Sequence, residues 1–204
     1  RPLPEIADRP VPGGLPDGPL TIAAFGTSLT ARAEWPDRLA EALRACRQAP
    51  VELVRVARPG AGSTWGRFAV QQVVDAAPDV VLVEFAINDA DILDGVSLAR
   101  GALQHDEIIS GLRVGLPDAS VLLLTMNPAY GPRGWVRPFL RGHYRQYRSY
   151  ADRHGTGLVD LYARWLRAPA AVRRAPDGLH PSTSQQEAVI LPALLDAFGC
   201  AGRT

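Results

Sequence analysis

The sequence predicts an α/β fold with a doubly wound parallel sheet, and three observations support this class. Apolar runs of strand length alternate along the chain with longer segments of helical periodicity. Several of these runs are apolar almost without a break, which is typical of parallel strands covered by helices on both faces. The chain has 204 residues, 47% of them hydrophobic, which is enough for one domain with a substantial core.

Ahead of the first strand, residues 1–19 (RPLPEIADRPVPGGLPDGP) are rich in proline and glycine. Such a composition predicts an extended arm with little helix or strand. No internal repeat and no second domain are evident after it. We therefore divide the chain into an N-terminal arm over 1–19 and one domain over 20–204.

Five apolar segments are predicted as strands. The longest apolar run, Val80 to Ile87, has the length of a strand and is interrupted by Glu84. Along the chain, the predicted strands are Leu20–Phe25, Val51–Val56, Asp79–Phe85, Ser120–Met126 and Gly157–Leu161. Connections between consecutive strands are long enough for the right-handed helical crossovers of a parallel sheet.

The segments between the strands have the apolar periodicity of helices. Pro36 lies near the start of the first helix, where its missing N–H has no cost, and Ser182 with Gln185 forms a capping box before the last one. The predicted helices are Trp35–Cys46, Thr64–Ala76, Val96–Gly115, Pro138–His154 and Ser182–Phe198.

Arginines recur at helical spacing in and directly before the fourth of these helices, with Tyr144 and Tyr147 between them; they are Arg137, Arg141, Arg145 and Arg148. This pattern predicts a solvated basic face with tyrosines packed on the sheet; contact with a sugar or an acid is the alternative. His105 and His154 are expected on helix surfaces.

Composition excludes several classes of function. The net charge is +1, so a nucleic acid is not an expected partner. No apolar stretch approaches the ~20 residues that span a bilayer. Neither cysteine has the spacing of a metal site or a redox motif, and we expect no metal and no cofactor. The chain begins at Arg1 rather than methionine, and we expect an upstream segment, where a signal peptide or an anchor would stand.

Four loops that follow or face the carboxyl ends of strands carry polar or glycine-rich groups. Ligands bind at this edge of doubly wound sheets, so the chemistry is expected there. The loops are Gly26–Thr30, Arg58–Gly66, Phe85–Ala90 and Pro176–Ser182.

These loops hold the groups that acyl transfer needs. Ser28 is a candidate nucleophile, His180 a candidate base, and Asp177, three residues earlier, can orient that base. The backbone N–H groups of Ser28 and Gly60 and the side-chain amide of Asn88 are candidate donors to an oxyanion. The alternative is that these residues have only structural roles. Ser28 would then be a turn residue, His180 would cap a helix, and Asn88 would bond to the backbone of its own loop.

The blocks FGTSLTA, RPGAG, AIND and DGLHP, in this order, resemble those of the SGNH (GDSL) hydrolase superfamily, and in particular its small single-domain esterases. The resemblance spans Leu20 to Phe198. It implies a flavodoxin-like, three-layer α/β/α fold with five parallel strands and a metal-free site. Carried over by position, it implies Ser28, His180 and Asp177 as the triad, and Ser28, Gly60 and Asn88 as the oxyanion hole.

The sequence departs from the superfamily's pattern at three positions. Thr27 stands where an aspartate is usual, Arg58 where an asparagine is usual, and Ala86 where a glycine is usual. These changes bear on substrate choice more than on reaction type. The candidate substrate contacts are Thr27, Ala86, Asp89, Tyr130, Arg133 and Trp135.

We interpret the chain as a serine hydrolase that cleaves short acyl groups, such as acetyl, from a carbohydrate or a similar polar alcohol. Three alternatives remain open: acyl transfer to a sugar hydroxyl, cleavage of a glycosidic bond by Asp89 or Asp177, and glycan binding without catalysis. The sequence indicates no oligomeric state.

Cys46 and Cys200 are expected near the far ends of two helices that a flavodoxin-like order places in parallel on one face of the sheet. A disulfide between them is our hypothesis, and two buried thiols are the alternative. A disulfide favours an exported, periplasmic or secreted, location over the cytoplasm.

Overall fold

Five strands form one parallel sheet in this computed structural model, which describes residues 3–202. Along the chain they are β1 (Leu20–Gly26), β2 (Val51–Ala57), β3 (Val80–Glu84), β4 (Ser120–Thr125) and β5 (Gly157–Asp160). Across the sheet the order is β2–β1–β3–β4–β5, so the direction of winding reverses between β1 and β3. This flavodoxin-like order confirms the predicted fold class.

Helices cover both faces of the sheet. In chain order they are α1 (Ser28–Ala31), α2 (Trp35–Arg47), α3 (Ser63–Asp75), α4 (Ala86–Asp89), α5 (Leu98–Gly115), α6 (Gly131–Trp135), α7 (Leu140–His154), α8 (Leu161–Arg167), α9 (Ala170–Arg173) and α10 (Thr183–Ala197). Helix α10 packs on α2 on one face, while α3, α5 and α7 pack side by side on the other. The architecture is therefore α/β/α in three layers.

The two central strands β3 and β4 are buried along their whole length, because helices lie on both sides of them. At the carboxyl end of the sheet, the rings of Phe25, Trp65 and Phe85 pack against one another with centroids 4.9–6.2 Å apart. This aromatic cluster gives the loops above it a rigid base.

Local signals set several helix ends. The predicted capping box forms: the Ser182 N–H donates to Gln185 Oε1 at 2.8 Å, and Ser182 Oγ accepts from the Gln185 N–H. Helix α5 begins at Leu98, two residues later than predicted, because Ser97 caps it. The short helices α1 and α4 fall in segments that were predicted as loops.

Residues 3–19 of the N-terminal arm run along the domain without forming a helix. The Arg9 N–H donates to the Leu158 carbonyl at 2.9 Å, which makes an antiparallel bridge to the edge strand β5. Ala7 is buried beside it. The arm thus covers backbone groups that an edge strand would otherwise expose. Arg1 and Pro2 of the predicted arm, and Arg203 and Thr204 of the predicted domain, lie outside the described residues.

Cys46, in the last turn of α2, is joined to Cys200, just after α10, by a disulfide with a Cα–Cα distance of 6.0 Å. Both helices begin near the carboxyl ends of the strands and end near the amino ends of the strands. The disulfide therefore lies at the end of the domain remote from the candidate site.

The prediction for His105 is wrong, because its side chain is buried between α5 and α7 rather than on a helix surface. His154 is partly exposed and lies 2.7 Å from Asp106 Oδ1. On α7, Arg141 and Arg145 are exposed while Tyr147 is buried, as the amphipathic pattern predicts. For Arg137, directly before this helix, the prediction of a solvated position is wrong, because the residue is buried. Within residues 3–202, no helix combines the length and apolar character needed to span a membrane.

Candidate active site

Ser28 is the first residue of α1, directly above the end of β1. Thr27 caps this helix: its Oγ1 accepts a hydrogen bond from the Leu29 N–H at 3.1 Å. A glycine is needed at position 26, because a Cβ there would overlap the Glu84 carboxylate on the neighbouring strand β3. The serine therefore lies in a turn that is closely packed from below.

Glu84 is the buried acceptor beneath this turn. Its carboxylate accepts from the Thr27 N–H at 2.6 Å, from Thr27 Oγ1 at 3.0 Å and from Thr30 Oγ1 at 2.8 Å. Burial raises the pKa of Glu84 to about 7, although these hydrogen bonds lower it. The carboxylate beneath the Ser28 turn thus comes from the neighbouring strand β3, and Thr27 contributes a hydroxyl and an N–H that donate to it.

His180 faces Ser28 from the turn before α10. The Ser28 Oγ and His180 Nε2 atoms are 2.9 Å apart, and His180 Nδ1 is 2.7 Å from Asp177 Oδ2. An N–H on Nδ1 donates to the carboxylate, which leaves Nε2 free to accept from the serine hydroxyl. The structure therefore brings the three predicted residues together as one hydrogen-bonded chain.

Within the turn that carries Asp177 and His180, the Asp177 side chain bonds to the backbone of the residues that follow it. Asp177 Oδ1 accepts from the N–H groups of Leu179 at 2.9 Å and of His180 at 2.7 Å. Burial raises the pKa of Asp177, but the hydrogen bonds from the His180 side chain and from these two N–H groups outweigh it and lower the pKa to about 2. Asp177 is consequently ionised at neutral pH.

Two contacts fix this turn to the loop after β4. The Asn127 side-chain amide donates to the Leu179 carbonyl at 2.7 Å, and the Tyr130 N–H donates to the Gly178 carbonyl at 2.8 Å. Gly178 has a φ of +83°, and a Cβ there would lie 2.5 Å from the Tyr130 carbonyl oxygen. The close approach of the two loops therefore requires glycine at this position.

Asn88 lies in α4, where a buried hydrogen-bonded pair supports the start of the helix. Tyr147 Oη accepts from the N–H groups of Phe85 at 2.9 Å and Ala86 at 3.1 Å, and it lies 2.9 Å from His105 Nε2. Burial raises the pKa of Tyr147 and lowers that of His105, so a neutral phenol donates to a neutral imidazole. Sequence reasoning missed both residues.

Asn88 contacts the loop after β2, which also carries Gly60. Asn88 Nδ2 donates to the Ala61 carbonyl at 2.8 Å, and the Asn88 side chain is partly exposed among buried neighbours. Gly60 is exposed with a φ of +76°. Among residues 3–202, the N–H groups of Ser28 and Gly60 have no hydrogen-bond acceptor, so both can donate to a ligand.

Three predicted substrate contacts are wrong, because the side chains of Thr27, Ala86 and Asp89 are at most 2% exposed. Asp89 Oδ1 accepts instead from the Ser63 N–H at 2.7 Å. Asp89 is thus inaccessible to a glycan, which removes the carboxylate that the glycosidic alternative needed from this loop.

The other three candidates lie on the loop after β4. Arg133 is exposed, and Trp135 is 77% exposed on the short helix α6. The Tyr130 ring packs against the Arg174 guanidinium, 5.1 Å from the ring centroid, so its backbone rather than its ring holds the His180 turn. Arg133 and Trp135 remain available to a substrate.

A cleft of about 150 Å³ opens beside Ser28 and His180. Its wall is mostly apolar, and it also includes Arg32, Asn127 and Gln186. The apolar lining residues are Leu29, Ala33, Met126, Pro181 and Ile190.

A serine, an imidazole and a carboxylate at the switch point of a three-layer α/β/α fold define a class of hydrolases. The profile of the GDSL-like lipase/acylhydrolase family matches residues 22–188 of this chain. The chain therefore belongs to that family, and it is a hydrolase of the esterase and acylhydrolase type. Among curated proteins, no sequence matches the chain significantly.

Several solved structures share the fold. A lipase/acylhydrolase from Enterococcus faecalis is 22% identical with a TM-score of 0.76, and the alignment covers 90% of this chain and 96% of that one. An α/β hydrolase enzyme, LAE5, from the metagenome of Lake Arreo is 22% identical with a TM-score of 0.75, and the alignment covers 89% of this chain and 95% of that one. An acetyl xylan esterase, Axe2, from Geobacillus stearothermophilus is 18% identical with a TM-score of 0.74, and the alignment covers 92% of this chain and 97% of that one.

Proposed function

We propose that the protein hydrolyses carboxylic esters through an acyl-enzyme on Ser28, with His180 as the base and Asp177 orienting it. One observation carries this proposal: the continuous chain of short hydrogen-bond distances from Ser28 Oγ through the imidazole to the Asp177 carboxylate. The same chain gives His180 the tautomer that a general base needs.

In the first half of the reaction, Ser28 Oγ attacks the ester carbonyl carbon while His180 Nε2 takes the hydroxyl proton. The negative charge on the former carbonyl oxygen is met by the N–H groups of Ser28 and Gly60 and by Asn88 Nδ2. The C–O bond to the alcohol then breaks, and the alcohol leaves with the proton from His180. Water deacylates the serine by the same steps, which releases the acid.

For the substrate, we propose a short acyl group on a carbohydrate or a similar polar alcohol. A cleft of about 150 Å³ beside the serine limits what can bind there; a cavity of about this volume accommodates a molecule the size of benzene, or roughly six carbons. The exposed Trp135 can stack on a sugar ring, and Arg133 can bind its oxygens. The acetyl xylan esterase that shares the fold acts on a substrate of this kind.

The test is a panel of p-nitrophenyl esters with acyl chains of increasing length, together with acetylated oligosaccharides. We expect turnover of short esters by the wild type and a loss on the order of 10⁶-fold in kcat for Ser28→Ala. The matched control is Ser149→Ala, which changes an exposed serine on α7 and leaves kcat as it is.

Full esterase activity in Ser28→Ala would refute the proposed nucleophile. Turnover should not rise further for acyl chains above about six carbons, because the part of a longer chain that exceeds the cleft extends out of it and gains no apolar contact there. A preference for long acyl chains, or no release of acetate from any acetylated sugar, would refute the proposed substrate class while leaving the ester chemistry in place.

A further inference from the structure

Arg137 is a buried arginine between α6 and α7, and only 6% of its surface is exposed. Its Nε donates to the Ile87 carbonyl at 2.8 Å and its Nη1 to the Arg133 carbonyl at 2.9 Å. Its Nη2 lies 3.0 Å from Asp91 Oδ2 and 3.5 Å from Asn88 Oδ1. A single side chain thus contacts both the segment after β3, which carries Asn88, and helix α6 in the segment after β4.

The chemistry of these contacts restricts the Asn88 side chain to one orientation. A guanidinium group only donates hydrogen bonds, so the amide atom that faces Arg137 has to be the oxygen. On the other side, the Ala61 carbonyl only accepts, and it takes one of the two Nδ2 hydrogens at 2.8 Å. The second Nδ2 hydrogen is left for a ligand.

We propose that Arg137 is a positioning residue that holds the Asn88 amide with its N–H toward the developing oxyanion. This inference rests on the proposed ester hydrolysis. With the amide reversed, Asn88 would present its oxygen to a negatively charged oxygen, which repels rather than stabilises the transition state. The hydrogen bond to the Ile87 carbonyl fixes the backbone directly before Asn88, so both the position and the orientation of the amide depend on Arg137.

An arginine is suited to this buried position because of the number and the fixed directions of its hydrogen-bond donors. Four acceptors from two segments of the chain surround the guanidinium, and a planar group with five N–H donors can satisfy them together. Asp91 balances the positive charge. A lysine offers fewer donors in less fixed directions, and a methionine fills the space but offers none.

The test is a double-mutant cycle on the full chain with a short p-nitrophenyl ester. We expect Arg137→Met to lower kcat by about 10- to 100-fold with little change in KM, because the loss falls on the transition state. In the Asn88→Ala background, the same substitution should change kcat by less than about 2-fold. Arg137→Lys should recover part of the activity.

A general loss of structure predicts a different result. If Arg137→Met lowers kcat equally with and without Asn88, the residue is structural and the proposal fails. The matched control is Arg145→Met, an exposed arginine on α7, which should leave kcat unchanged. The double variant Arg137→Met/Asp91→Asn removes the unpaired Asp91 charge and keeps the test valid if the single variant folds poorly.

A second readout does not need turnover. In ¹⁵N–¹H spectra, the Asn88 side-chain amide of the wild type should give two separate, sharp proton signals. In Arg137→Met these signals should broaden or shift, while in Arg145→Met they should stay unchanged. Unaltered Asn88 signals in Arg137→Met would overturn the proposal. Absence of ester turnover by the wild type would count against the proposed function instead, and the spectra would still test the position of Asn88.

Discussion

The two sides of Ser28 are built in different ways. On one side, Asp177 and His180 lie in a single turn whose internal hydrogen bonds join residues two and three positions apart, and this turn is attached to the loop after β4 by Asn127 and the Tyr130 N–H. On the other side, the Ser28 turn and the Asn88 helix depend on buried groups from distant parts of the chain: Glu84, His105, Arg137 and Tyr147.

The two sides differ in construction because they have different tasks in the reaction. The His180 side presents a base that has to be oriented, and a partly exposed carboxylate in the same turn is sufficient for that. The Asn88 side presents hydrogen-bond donors at fixed positions, and fixed positions need rigid, buried support. We therefore expect substitutions on the first side to change chemistry with little effect on stability, and substitutions on the second side to change both.

Among the substitutions that compare these two sides of Ser28, Asp177→Asn is expected to have the largest effect. A neutral amide no longer stabilises the imidazolium and can donate to Nδ1, which favours the wrong tautomer of His180. We expect kcat to fall by about 10⁴-fold. Because the side chain is partly exposed, Tm should change little. Steady-state kinetics and thermal unfolding on the same preparation measure both quantities.

Asp118→Asn is the control, since Asp118 is an exposed aspartate just before β4, at the opposite edge of the sheet. It should change neither kcat nor Tm. A loss of less than about tenfold in Asp177→Asn would show that His180 does not depend on this carboxylate for its orientation.

A smaller effect on activity, with a clear effect on stability, is expected from Glu84→Gln. The carboxylate supports the Ser28 turn through Thr27 and Thr30, and an amide cannot accept from all of these donors. We expect kcat to fall by about tenfold because the turn is less firmly placed. Glu52→Gln, at an exposed position on β2, is the matched control.

The pH dependence of stability sharpens this prediction. The pKa of Glu84 is about 7 in the folded protein against an ordinary value of 4.5. A raised pKa favours the folded state below pH 4.5, and this contribution is lost as the pH rises toward 7. Between these values the wild type should lose on the order of 3 kcal/mol of unfolding free energy relative to Glu84→Gln. Parallel stability curves for the two proteins would show that Glu84 does not titrate in this range.

The smallest effect on activity is expected at the disulfide. Cys46 and Cys200 lie at the end of the sheet remote from Ser28, so the double variant Cys46→Ser/Cys200→Ser should retain its kcat at low temperature. Its unfolding free energy should fall by about 2–5 kcal/mol, because the unfolded chain is no longer constrained. Denaturant unfolding measures the change. A loss of activity in the folded double variant would show that the two ends of the domain are coupled.

The sequence predicted the long elements well because their patterns repeat. β1 was predicted as Leu20–Phe25 and is Leu20–Gly26, and α2 was predicted as Trp35–Cys46 and is Trp35–Arg47. The four-residue helices α1 and α4 were missed, since so short a segment shows no period.

In the candidate site, too, the sequence predicted only the residues that lie in a local pattern. Ser28, Asp177 and His180 lie in short local motifs, so their types and spacing could be read directly. Glu84 supports Thr27 from 57 residues away, and Arg137 contacts Ile87 across 50. Glu84 did leave a signal, as the acidic residue that interrupts the apolar run of β3. Arg137 left none, because it was one of several arginines at helical spacing.

The identity of the nucleophile can be measured directly by reaction with a fluorophosphonate, which traps an activated serine as a covalent adduct. After digestion, tandem mass spectrometry locates the modified residue. We predict one adduct, on Ser28, formed rapidly in the wild type and far more slowly in His180→Ala. An adduct on another residue, or ester turnover by a protein whose Ser28 stays unmodified, would contradict this account.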